Sequence, residues 1–136
     1  MIDFADCIRA GIDNAITAEG ERAEIQRILD QVDAAIRSAT SGKARLVVGK
    51  FHGAKDDAVA FTSKLRHRLV IQSVLDEQEG WIIAGWDTSS EGAFAVQLVY
   101  EFQSLHCEDG DELMEELGNL LETARVGRAI QHFANR

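Results

Sequence analysis

The residue types best suited to chemistry meet where His106 and Cys107 precede the acidic run 108–112. A cysteine thiol near a helix N-terminus can have a lowered pKa and act as a nucleophile. The neighbouring carboxylates oppose this, because nearby negative charge disfavours the thiolate. His106 and Cys107 are also adjacent in a predicted strand, so their side chains point to opposite faces. We therefore predict no catalytic residue and expect that the chain is not an enzyme.

The same acidic run has the composition of a cation site, since hard cations prefer carboxylate oxygens. It lacks the spacing of a calcium-binding loop, and an N-capped helix start accounts for its residues. His52, His67, His106 and His132 have none of the spacings typical of zinc sites. The sequence also contains no glycine-rich phosphate-binding motif. We predict no metal and no cofactor.

A basic patch is predicted around Lys64, Arg66 and Arg68, which alternate with less polar residues. In a strand these three cations share one face and could contact a phosphate backbone. Alternating charge is equally typical of the solvated face of an antiparallel sheet. Because the net charge is −9, we do not expect nucleic acid to be the partner, and nucleic-acid binding is the third alternative.

The acidic charge is concentrated in one segment. Residues 76–110 hold eight acids and no Lys or Arg, whereas residues 41–75 hold two acids and seven bases. Such a segment favours association with a basic protein surface. The tryptophans within it are five apart on one predicted strand and are expected to point to opposite faces, so either one is an exposed anchor or both are buried. The predicted partner-binding residues are Glu77, Glu79, Trp81, Trp86, Glu91 and Glu108.

The composition predicts a single domain over residues 1–136, since the length is typical of one domain and 46% of the residues are hydrophobic. Two unrelated cysteines and an acidic N-terminal segment without a continuous apolar run favour the cytoplasm. No apolar run approaches the roughly 18 residues that a membrane span requires. We expect a cytoplasmic protein with no membrane contact.

The elements that position these residues begin with a long helical segment. Apolar residues recur at helical spacing in two runs, 4–16 and 25–36, separated by Gly20. Either one long kinked helix or two helices fit this pattern, because Gly20 is a poor helix residue but the two faces stay nearly in phase. A continuous helix is too long for one small sheet to cover. We therefore predict a dimer with Ile12 and Ile25 near its interface; the alternative is a break at residues 17–20, with both halves folded back and buried within the monomer.

Strands are predicted at 44–51, 65–75, 81–86 and 94–105, the last with Phe94 to Phe102 alternating on one face. Residues 54–61 fit either a short strand or one turn of helix. A C-terminal helix follows, with Asp109 as its N-cap and one apolar stripe from Leu113 to Ile130. The predicted fold is α+β, a two-layer sandwich of a four- to five-stranded antiparallel meander flanked by the N-terminal and C-terminal helices.

The function we predict is a non-catalytic, acidic protein-binding module of the adaptor, chaperone, inhibitor or immunity type, with its surface around residues 76–112. The main alternative is a small enzyme or ligand-binding protein with a pocket between helix and sheet. A nucleic-acid binder acting through residues 64–68 is the further alternative. A concave site with convergent His or Cys side chains would favour the enzyme.

Overall fold

The fold is mixed α+β, with the strands in sequence order in one antiparallel sheet. The computed structural model describes residues 1–49 and 65–136, so the predictions for 54–61 and for Lys64 lie outside the described residues. In chain order the described elements are α1 (Phe4–Ala39), β1 (Ala44–Gly49), β2 (His67–Ser73), β3 (Gly80–Asp87), β4 (Val96–Tyr100), β5 (Gln103–Cys107), α2 (Gly110–Leu121) and α3 (Ala124–Ala134). All eight elements contribute side chains to one hydrophobic core. No helix in these two described ranges could cross a membrane.

Helix α1 is continuous, which settles the choice between one helix and two. The Asp3 side chain accepts a hydrogen bond from the backbone N–H of Ala5 and caps the start. At the other end the Thr40 hydroxyl donates to the Ile36 carbonyl and accepts from the Ala44 N–H, which joins the helix to β1. No feature at Gly20 interrupts the helical hydrogen bonds.

Only the second half of α1 packs on the sheet. Ile25, Ile28, Leu29 and Ile36 are buried in the core. Ile25 is only 5% exposed within the chain, so the described fold gives it little surface for the predicted dimer interface. Ile12 lies in the first half and is 55% exposed. We call residues 4–20 of α1 the arm, since they extend about 25 Å, at 1.5 Å per residue, before the packed half begins.

The predicted strand 94–105 is a hairpin instead of one strand. Tyr100 pairs with Gln103, so Glu101 and Phe102 form a two-residue turn between β4 and β5. Both turn residues have positive φ, 49° and 64°, as the hairpin turn that matches strand twist requires. Phe102 therefore lies at the turn and is exposed, instead of continuing the buried face that begins at Phe94.

Both tryptophans lie on the helix-covered face of the sheet, which contradicts the prediction of opposite faces. The β2–β3 register shifts so that Ile83 is an extra residue in β3, and such a bulge reverses the alternation of faces beyond it. Trp81 pairs with Ile71 and Trp86 pairs with His67, two β2 residues four apart on one face. Trp86 is 3% exposed and belongs to the core, so it is not the exposed anchor, and Trp81 is half-buried.

The C-terminal helical segment consists of two helices instead of the single one predicted. The Thr123 side chain accepts from the Val126 N–H and caps α3, while its hydroxyl donates to the Leu120 carbonyl at the end of α2. Because α2 ends and α3 begins at this junction, each helix has its own direction, and both bury side chains in the shared core. The buried residues are Leu113, Leu117, Leu120, Val126, Ala129 and Phe133.

Candidate functional site

The predicted acidic surface is divided between the two ends of the sheet. Glu77 and Glu79 belong to the β2–β3 turn, beside the start of β1, where Ala44 pairs with Ser73. Glu91 and Glu108 lie at the other end, which we call the arm end because α1 leaves the body there. Arg22 of α1 marks this position, since its Nε and Nη2 donate to the Glu91 carbonyl at 2.9 and 2.7 Å. The sequence segment 76–112 is therefore not one continuous surface.

At the arm end, carboxylates surround a cavity of about 300 Å³ between α1 and the start of α2. We call it the acidic cavity; it is lined by Glu21, Glu24, Phe94, Glu108, Asp109, Gly110 and Asp111. None of its five acids forms an ion pair with any residue that the structure describes. Arg22 is next to Glu21 in the sequence, but its guanidinium donates to the backbone carbonyl of Glu91 instead of pairing with an acid of the cavity. The cavity therefore concentrates negative charge that is not neutralised by described side chains.

The start of α2 forms one wall of this cavity and is capped in a variant of the capping box, in which Glu112 reaches the N–H of Glu108 instead of that of the N-cap Asp109. Asp109 accepts from the Glu112 N–H at 2.9 Å, and Glu112 accepts from the Glu108 N–H at 3.1 Å. Gly110 permits the close approach of α1, because a Cβ there would lie 1.9 Å from Glu24 Oε1. The prediction of Asp109 as N-cap is confirmed.

The carboxylate of Glu79, a predicted partner-binding residue, interacts with two side chains of its own chain. Its carboxylate contacts His132 Nε2 at 2.7 Å and forms an ion pair with Arg136. Hydrogen bonds from Arg136 and then His132 lower the pKa of Glu79. Trp81 is half-buried beside the same cluster, with its ring 5.6 Å from His132 and 5.8 Å from the Arg125 guanidinium. Glu77 is exposed.

The two described cations of the predicted basic patch are both engaged within the chain. Arg66 precedes β2 and forms an ion pair with Asp87 at 2.7 Å, and this hydrogen bond with Asp87 raises the pKa of Arg66. Arg68 is half-buried and donates to the carbonyls of Leu65 and His67. This engagement weakens the interpretation of these two residues as a phosphate-binding surface.

The Cys107 thiol is buried at the end of β5. Burial, followed by the carboxylates of Glu116, Glu112, Asp109 and Glu108, raises its pKa to about 11. The thiol is therefore protonated at neutral pH. Within residues 1–49 and 65–136, no group of three His, Cys, Asp or Glu side chains could hold a metal ion.

The arm presents an apolar face that the described body does not cover. Phe4, Ile8, Ile12 and Ile16 each expose more than half of their surface. Sequence periodicity predicts this face, because the four residues repeat every fourth position. It does not predict Glu21 and Glu24 as cavity residues, since they lie far in sequence from the acidic segment that they join.

Comparison with known proteins finds no matching family model, no matching curated protein and no matching solved structure. The function is therefore argued from the chemistry of these surfaces.

Proposed function

We propose that this chain is a non-catalytic protein-binding module that takes a basic surface of another protein at its arm end. The observation that carries the proposal is the acidic cavity, where five acidic residues line one concave space without an ion pair to any described residue. The module acts in the cytoplasm, where its two cysteines remain free thiols.

Electrostatics supports a basic partner. Like charges around one cavity repel each other, and a lysine or arginine of a partner relieves that repulsion when it enters. The apolar ring of Phe94 forms part of the wall, so the aliphatic stem of such a side chain has a surface to pack on. The proposed contact residues are Glu21, Glu24, Glu91, Glu108 and Asp111.

The non-catalytic part of the proposal is supported by the state of Cys107. This thiol was the strongest nucleophile candidate in the sequence, but it is buried and its pKa is about 11. The adjacent His106 is exposed on the other side of the strand, so it is not placed to accept a proton from the thiol.

The test is affinity capture from the native host with two charge-matched double variants. Glu21→Gln with Glu108→Gln neutralises two acids of the cavity. Glu77→Gln with Glu101→Gln neutralises two exposed acids at the opposite end and serves as the control. We expect a partner that binds the native chain and the control variant, binds the cavity variant more weakly, and dissociates as salt is added.

The partner is then purified and its association rate is measured with each form. A rate that falls only in the cavity variant supports the arm end as the binding surface. Equal rates for both variants, or a rate that does not change with salt, would overturn the proposal. Unfolding curves of all three forms check that the substitutions leave the fold intact.

A further inference from the structure

A continuous ridge of large side chains runs along the arm. Phe4, Ile8, Ile12 and Ile16 are spaced four residues apart and all are exposed. Side chains at this spacing form one of the two ridge types through which helices pack. On the side of the ridge away from this row of small residues lie the charged residues Arg9 and Asp13, and Asp6 lies further round the helix, in an ion pair with Arg9 at 3.0 Å.

Beside the ridge lies a row of small residues, also four apart. Cys7, Gly11 and Ala15 occupy the positions three residues after Phe4, Ile8 and Ile12, so this row is the groove next to the ridge. Large residues beside small ones make the surface complementary to a second copy of itself. The ridge of each helix can enter the groove of the other.

No contact among the residues that the structure describes accounts for a glycine at position 11. A Cβ at Gly11 would meet nothing within 4 Å, and glycine inside a helix is less stable than alanine. Its conformation is helical, so no unusual backbone angle requires a glycine. Close approach of another helix at the centre of the ridge accounts for a residue without a side chain.

We infer that the arms of two copies pack against each other, antiparallel and centred near Gly11, to form a dimer. This pairing sets Phe4 beside the second copy's Ile16 and Ile8 beside its Ile12. The two bodies then lie at opposite ends of the paired arms and do not collide. Ridges of this spacing pack at a crossing angle of about 50°.

The available area suits a modest dimer. At roughly 100 Å² for each large side chain, the two ridges bury on the order of 800 Å² of apolar surface. Stable interfaces bury about 1,200 Å² or more in total, so the ridges alone correspond to a weak dimer whose population depends on concentration. The acids of the arm disfavour the alternative, a surface of anionic lipid.

The inference is independent of the acidic cavity, and mass in solution tests it. Light scattering over a concentration series compares the native chain with Gly11→Leu and Gly20→Leu. Both glycines have open space around them, and leucine favours the helix at both positions. Gly20 follows Ile16 by four residues and continues the line of the ridge, but it lies beyond the paired residues 4–16 and outside the groove row, so it is the control for an added leucine. A third variant, Ile8→Glu with Ile12→Glu, removes the ridge.

We expect the native chain and Gly20→Leu to approach twice the monomer mass of 15.0 kDa. Gly11→Leu fills the groove and should weaken dimerisation by roughly tenfold or more, and the ridge variant should be monomeric with an unchanged circular dichroism spectrum. If the arms associated only through non-specific hydrophobic contact, Gly11→Leu would strengthen association, because the variant adds apolar surface. A native chain that stays monomeric at every concentration, equal association of the two leucine variants, or a monomer that binds phosphatidylcholine vesicles through the ridge would overturn the inference.

Discussion

Burial and charge act in the same direction on the thiol of Cys107. The side chain is fully covered, and the carboxylates of Glu116, Glu112, Asp109 and Glu108 also disfavour a thiolate, so its pKa rises from 9.0 to about 11. Because the folded value is the higher one, this group contributes stability below pH 9. That contribution is lost as the pH rises towards about 11. The N-terminus of α2 alone would favour the thiolate, but its effect is smaller than the combined effect of burial and the carboxylates.

The first prediction concerns the reactivity of this thiol. In a Cys7→Ser variant, Cys107 is the only cysteine, and a disulfide reagent at pH 8 should modify almost none of the native protein. One thiol per chain should react after unfolding in guanidinium, because reactivity requires both access and the thiolate. Rapid modification of the native variant would contradict the buried position of Cys107.

The second prediction concerns Glu79, whose pKa is lowered by Arg136 and His132. A lowered carboxyl pKa contributes stability above the ordinary value of 4.5 that is lost as the pH falls through the folded value. The free energy of unfolding should therefore fall more steeply below pH 4.5 in the native chain than in Glu79→Gln. The stability that the native chain loses on acidification beyond the loss in Glu79→Gln should be less than about 1 kcal/mol, because Glu79, His132 and Arg136 are all partly exposed to solvent.

Chemical denaturation between pH 3 and pH 7 measures the effect of Glu79→Gln. Glu77→Gln, in the same turn and exposed, is the control and should reproduce the native pH dependence. Parallel pH profiles for the native chain and Glu79→Gln would show that these ion pairs do not contribute in solution.

At the scale of the elements, periodicity predicts type and order well and boundaries less well. The α1 cap at Asp3, the meander and the α2 cap at Asp109 follow from residue types that act locally. The β4–β5 turn is not predictable in this way, because Glu101 and Phe102 occupy positive-φ positions where Asn or Gly is usual. A local pattern does not reveal a turn that the pairing of its strands imposes.

The bulge at Ile83 is a second feature that the sequence does not indicate. Alternation predicts that residues five apart in a strand face opposite sides, which fails for Trp81 and Trp86 because one inserted residue changes the phase. Bulges are often marked by glycine, but Ile83 is β-branched and buried. The error in the predicted faces of the two tryptophans follows from this one residue.

The third prediction tests how the bulge is stabilised. Arg125 Nε donates to the Ile82 carbonyl at 2.6 Å, where the β2–β3 register shifts, and its guanidinium lies over the Trp81 ring. Arg125→Ala should lower the free energy of unfolding by about 1–3 kcal/mol, because it leaves a largely covered carbonyl unpaired.

Denaturant titration measures this change, and Arg128→Ala, exposed on the same helix, is the control. Arg125→Lys should recover part of the loss, since a lysine can donate to the carbonyl but cannot reproduce the planar contact with the indole. An Arg125→Ala variant as stable as the control would mean that the hydrogen bond contributes nothing.

At the scale of the whole molecule, the fold places charge and apolar surface together at the arm end. Residues Glu21 and Glu24 join Glu108 and Asp111 only because α1 crosses the start of α2. Charge counting along the sequence identifies the acidic segment but assigns Glu77 and Glu79 to the same surface, which the strand order separates. The sequence therefore predicts that the candidate site is acidic. It does not predict which acidic residues lie together, because that depends on how α1 packs on the start of α2.

The last prediction follows from the unequal support of the two halves of α1. The half from Ile25 to Ile36 is packed in the core, whereas the apolar face of the arm is not covered by any other part of residues 1–49 and 65–136. Isolated helices of about 15 residues are marginal in water. The amides of residues 8–19 should therefore exchange with solvent much faster than those of residues 25–36 when the protein is dilute.

If a second copy covers the arm, hydrogen exchange in residues 8–19 should slow as the protein concentration rises, while exchange in residues 25–36 stays constant. The cause is mass action, since only the paired arms gain stability from association. Ile8→Glu with Ile12→Glu should abolish the concentration dependence without changing the exchange of residues 25–36. Arm amides that exchange slowly and at the same rate at all concentrations would mean that the chain itself stabilises the arm.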